Sequence, residues 1–159
     1  MALRADARNE PVSFVVTAEA LDSEMTDRIA RHRAERPANW HVVEAPRDLA
    51  LGLADVGLGF VVVDCLSFWV ANLVMDDVVD NDHIESVARR VALLLLSRTG
   101  SGVVVSNEVG LGLVPDNELG RRFRDVLGRV NAILAASSNK AFLVVAGRTM
   151  ELSSPPHVD

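Results

Sequence analysis

The chain has 159 residues, 49% of them hydrophobic and 24% charged, with a formal net charge of −6. That composition excludes a disordered polymer and argues against a general phosphate-backbone binder, while giving enough material for one packed domain. Its longest clean apolar run, Val91–Leu96, is far short of the roughly 20 residues that span a bilayer, so no membrane span is expected.

The opening MALRADARNEP carries arginines but no apolar core, which is not the pattern of a secretory signal. One cysteine, Cys65, cannot form an internal disulfide, and a reducing cytoplasm fits that usage. Residues 12–17 (VSFVVT) read as a strand. Met25, Ile29 and His32 then recur at helical spacing over 22–35, with Asp22 or Ser23 as N-cap and Pro37 ending the helix. Trp40–Glu44 reads as a short strand, and 46–55 as a short helix opened by Pro46. The run 60–64 (FVVVD) lacks polar alternation, as suits a strand covered on both faces and ending on a carboxylate.

Residues 66–79 are apolar with a helical period. Asp82-x-x-Glu85 resembles a capping box, with Val87, Val91, Leu94 and Leu95 marking the inner face of the helix it opens. Strand 102–106 leads into the glycine-punctuated loop Asn107–Pro115. Asp116 is placed to cap a helix running to Ser137, with Phe123, Val126, Leu127, Val130 and Leu134 inward. A last strand is expected at 141–146, and 1–11 and 148–159 are expected to be loose. Strands alternating with helices predict one α/β domain, a three-layer, mostly parallel sheet with helices on both faces. Ligands in such sheets bind beyond the carboxyl ends of the strands, a rim that holds Thr17, Asp64 and Asn107-Glu108.

Three constellations on that scaffold could carry chemistry. Arg28, Arg31, Arg33 and Arg36 surround His32, and arginine forks bind phosphate bidentately. A neutral imidazole in such a field can attack an α-phosphorus, although the same spacing suits a solvated arginine-rich face with an incidental histidine. Asp64 can hold Mg²⁺ at a strand end or simply cap the next helix. Loop 106–115 (SNEVGLGLVP) suits ligand contact, or serves as a plain connection. Fifteen of the 16 basic residues are Arg. The single lysine, Lys140, follows Ser137-Ser138-Asn139, so the chain contains no G-x-x-x-x-G-K-[ST] phosphate loop. His41, His83 and His157 show no metal-ligand spacing.

Three stretches together resemble the bifunctional adenosylcobinamide kinase/adenosylcobinamide-phosphate guanylyltransferases of cobalamin biosynthesis. They are Asp-x-Glu-Met through His-Arg-x-x-Arg-Pro-x-x-Trp at 22–40, Val-Asp-Cys-Leu through Trp-x-x-Asn-Leu at 63–73, and Ser-Asn-Glu-Val-Gly-x-Gly-x-Val-Pro-x-Asn through Arg-Arg-Phe-Arg-Asp at 106–125. The resemblance covers 12–152. It implies a P-loop NTPase (RecA-like) fold and a guanylyl intermediate on His32. It further implies nucleotide contacts from Val16, Thr17, Ala18, Arg33, Ala34, Glu35, Arg36, Glu44 and Asp64, with Mg²⁺ at Asp64. The implied partners are GTP or ATP and adenosylcobinamide or its phosphate, in a cytoplasmic homo-oligomer without nucleic acid. The family opens with a strand, a Gly-Gly-x-Arg-Ser-Gly-Lys-Ser loop and a helix. Here the strand, the loop and most of the helix are missing, so apolar sheet edges and little kinase activity are expected. Two explanations fit this departure, a start that lies upstream and a truncated lineage. The competing function is a non-catalytic remnant that binds nucleotide or corinoid, or associates with intact relatives.

Overall fold

The computed structural model of the chain describes residues 1–153. Its elements are α1 (Ala2–Asp6), β1 (Val12–Val16), α2 (Ser23–Ala34), β2 (His41–Glu44), α3 (Leu49–Ala54), β3 (Phe60–Asp64), α4 (Leu66–Val74), α5 (Asn81–Ser97), β4 (Gly102–Val105), α6 (Glu118–Ala136), β5 (Ala141–Val145) and β6 (Arg148–Leu152). The first four strands form one parallel sheet in the order β2-β1-β3-β4. This is the α/β P-loop NTPase-like architecture.

The sequence of β1 and β3 explains their central place. Both are buried at four consecutive positions, so neither has a side that water could solvate. Alternation sends Val15, Val61 and Val63 to one face, where they meet Leu49, Leu66, Trp69, Ile84, Val91 and Val126 from α3 to α6 in the main core. Val12, Phe14, Phe60 and Val62 point to the other face, where a smaller cluster gathers with Ala5 of α1 and Trp40. α2 buries no side chain.

Several expectations need correction. Residues 141–146 do not join the parallel sheet: β5 pairs antiparallel with β6 in a separate hairpin. Ala146 (φ 50°) and Gly147 (φ 73°) form its two-residue connection, the left-handed pair that matches strand twist in a tight hairpin. Residues 148–152 are therefore a strand rather than loose tail, while Pro155, Pro156 and His157 lie outside the described residues. At the other end, 2–6 form a helix with Ala5 fully buried.

Helix starts also shift. Asp80 caps α5 by accepting from His83 N at 2.7 Å, so the box expected at Asp82 opens two residues earlier. Asn117, not Asp116, caps α6 through Gly120 N at 2.7 Å. α3 begins at Leu49 under Asp48, whose carboxylate accepts from Leu51 N at 2.9 Å. α4 ends at Val74 instead of continuing to 79. The inner stripe of α5 is Ile84, Ala88, Val91 and Ala92, with Val87, Leu94 and Leu95 at its margin.

Candidate functional site

The strand order reverses at β1: β2 lies on one side of it and β3 on the other. Crossovers on either side of such a pair leave a crevice beyond the carboxyl ends, the usual ligand position in open α/β sheets. Register fixes what lines it. Val16 pairs with Glu44 on β2 and with Asp64 on β3, and Asp64 pairs with Val105 on β4. Residues in register on parallel strands share a face, so Glu44, Val16 and Asp64 form one row, with two strand spacings, about 10 Å, between the carboxylate-bearing backbones.

The end of α2 lies over the same face. The Arg36 guanidinium carbon sits 4.2 Å from the ring centroid of Phe14, and Trp40 stacks on that ring at 6.0 Å and 19°. Phe14 is two residues before Val16 on the same side of β1. Burial pushes the Arg36 pKa below its ordinary value, Asp64 opposes that shift, and Arg33 adds to it. Arg33, Arg36 and Asp64 thus share one electrostatic neighbourhood. His32 is exposed in the last turn of α2, and its side chain makes no hydrogen bond among the described residues. Helical spacing sets it one turn from Ile29 and Arg36, both half-buried, while its own side chain stands in solvent.

The remaining expected contacts divide. Glu35 is the C-cap of α2 and, with Ala34, is exposed. Ala18 is half-buried just past β1. The side chain of Thr17 does not face the crevice. It is 0% exposed, its hydroxyl donates to Cys65 O at 2.6 Å and accepts from Cys65 N at 2.9 Å. Among the described residues no three His, Cys, Asp or Glu side chains gather as a metal cage. Asp64, half-buried and outside every ion pair among the described residues, suits Mg²⁺, which takes one or two carboxylates and fills its shell with water and phosphate oxygens.

Sequence reasoning missed the residues that hold this rim in shape. Asn72, buried in α4, donates from Nδ2 to Thr17 O at 2.8 Å and to Pro46 O at 2.9 Å. One turn earlier, Trp69 Nε1 donates to Arg47 O at 2.8 Å. The loops after β1 and β2 are therefore clamped by one face of one helix, and the Trp-x-x-Asn spacing was the available signal. Arg47 adds ion pairs to Glu19 (3.3 Å) and Asp76 (3.1 Å).

Comparison with known proteins gives consistent matches. The profile of the family described as cobinamide kinase / cobinamide phosphate guanyltransferase matches residues 2–152. The bifunctional adenosylcobalamin biosynthesis protein CobP of Pseudomonas aeruginosa is 39% identical over 148 residues, 91% of this chain and 84% of its own length. The bifunctional adenosylcobalamin biosynthesis proteins CobU of Escherichia coli and Salmonella typhimurium are 39% and 36% identical over 149 residues, in each case 86% of this chain and 82% of theirs.

Proposed function

The chain belongs to the cobinamide kinase / cobinamide phosphate guanyltransferase family, and from that membership we propose that it transfers GMP from GTP to adenosylcobinamide phosphate through His32. An imidazole nitrogen of His32 attacks the α-phosphorus, a P–N bond forms, and the P–O bond to pyrophosphate breaks. A phosphate oxygen of the corinoid then attacks the same phosphorus, the P–N bond breaks, and adenosylcobinamide-GDP leaves with the imidazole restored. The observation that carries this reading is Arg36 laid over Phe14 of β1 just past the helix that bears His32, with Arg33 and Asp64 acting on its charge.

Each group has a task that its chemistry suits. A neutral imidazole offers a ring-nitrogen lone pair for attack on phosphorus. Arg33 and Arg36 stabilise the triphosphate charge as pyrophosphate departs, and do so without losing their own. Asp64 would hold Mg²⁺, which when bound spreads charge over the phosphate oxygens. Val16, Ala18 and Glu44 line the nucleotide. A homo-oligomer belongs to the same reading.

Exposure to α-labelled GTP with Mg²⁺ tests it. We expect label that persists through denaturation, is stable in base, is lost in acid, and is absent from His32→Ala. Undiminished label in that variant, or label that survives acid, removes His32 from the role.

The reading does not extend to phosphoryl transfer by these 159 residues. Lys140, the only lysine, pairs with Glu151 across the hairpin at 3.1 Å, far along the chain from the crevice strands. A single charge-stabilising group is worth roughly 10³–10⁵ in such reactions. Incubation with adenosylcobinamide, Mg²⁺ and ATP or GTP is therefore expected to give negligible phosphorylated corinoid, and turnover near one per second would contradict this.

A further inference from the structure

Loop 107–115 combines firm anchorage with an apolar surface that it does not bury. Its root is tied to α6: Ser106 Oγ donates to Asn131 Oδ1 at 2.6 Å, and Asn131 Nδ2 donates to Asn107 O at 3.1 Å. Val109 packs against the main core, and Glu108 turns back so that its carboxylate accepts from Gly110 N at 2.6 Å. At the far end Arg121 donates to Pro115 O (3.1 Å) and Asp116 O (2.8 Å). Between these anchors Leu111, Leu113 and Val114 are 81%, 97% and 67% exposed. Single exposed leucines are ordinary, but three in four residues on a pinned loop at the ligand-binding rim are not.

The charges beside this lip are asymmetric. Arg124 reaches its start, 3.4 Å from Gly110 O, and Arg121 reaches its end. Neither has a carboxylate partner among the described residues. Asp116 and Glu118 stand at the Arg121 end. Asp125, next to Arg124 in the chain, leaves α6 in a different direction. The Arg124 end is therefore the one suited to an anion.

We propose that Leu111, Leu113 and Val114 form the seat for the corrin macrocycle of the second substrate, with Arg124 beside its phosphate. This rests on the proposed transfer to adenosylcobinamide phosphate. A corrin carries methyl groups over a broad face and amides at its margin, so an apolar lip matches the ring and one free guanidinium matches the single phosphate-bearing arm. β4, which feeds this loop, lies beside Asp64, so the seat and the nucleotide row share one rim.

The test is equilibrium dialysis of the full chain against adenosylcobinamide and adenosylcobinamide phosphate, read by corrin absorbance. The double variant Leu111→Ser/Leu113→Ser is expected to weaken both ligands about tenfold or more. Arg124→Gln should weaken only the phosphorylated one, by about tenfold. Leu58→Ser, a control at the opposite rim where the leucine is also exposed, should change neither. Wild-type chain that retains no corinoid, or a double variant that binds like wild type, overturns the proposal. So does a double variant that lowers the mass of the sedimenting assembly while keeping corinoid affinity, since the leucines would then cover a second copy. GTP labelling is an independent readout: corinoid bound through the leucines without label on His32 removes the guanylylation reading and leaves this one standing, and label with corinoid affinity indifferent to the leucines does the reverse.

Discussion

Thr17 satisfies two buried backbone groups with one hydroxyl, donating to Cys65 O and accepting from Cys65 N. Thr17→Val keeps the shape and removes both bonds; Cys65 O keeps the bond that it accepts from Trp69 N at 3.3 Å, and Cys65 N is left unpaired in the core. One such group costs about 1–3 kcal/mol, and a loss of that size is expected in urea denaturation. A change below about 0.5 kcal/mol, the scale of ordinary surface substitutions, would show that the rim does not depend on this contact. Strand position put Thr17 on the correct rim, but whether its hydroxyl faces ligand or core depends on the β3 backbone beside it. The position of Asp64 at the end of β3 was legible because a continuous apolar run ending on a carboxylate marks a strand end. Trp69 and Asn72 were not, because their partners are carbonyls 22 to 55 residues away.

At the scale of elements, α3 approaches the sheet closely because Gly52 has no side chain. A Cβ there would run into Ala45 Cβ, itself buried just past β2, with Val15 and Val43 beside it. Gly52→Ala gains about 1 kcal/mol of helix propensity but must push the helix off the sheet, a strain of about 1–3 kcal/mol. Net destabilisation is expected, seen as a lower midpoint in thermal unfolding, and a raised midpoint would contradict the close packing. The parallel strands and long helices were readable from period alone, since continuous apolar runs and 3.6-residue stripes leave little choice. β5 was not, because a run such as 141–145 fits a buried parallel strand and an exposed hairpin strand equally. The discriminating signal was Gly147, two residues past Val145, followed by the alternating Thr149, Met150, Glu151 and Leu152. The capping shifts on α5 and α6 came from acidic and amide residues clustered at each start, any of which could have served.

For the molecule as a whole, helices cover the sheet unequally. The α3–α6 face holds the main core, whereas the other face carries the smaller cluster with α1 and Trp40, and α2 contributes no buried side chain. The hairpin exposes Val144 and Val145 by 63% and 60%, which supports self-association. Val144→Lys/Val145→Lys is expected to lower the mass of the sedimenting assembly without changing the circular dichroism, and a wild-type monomer at the same concentration would contradict that. The guanylyl-histidine itself is best tested by mass spectrometry of the chain after GTP and Mg²⁺, digested at neutral to alkaline pH. An added guanylyl group is expected on the peptide that carries His32, removed by adenosylcobinamide phosphate with release of adenosylcobinamide-GDP. A guanylyl group on any other residue, or one that the corinoid leaves in place, would contradict it.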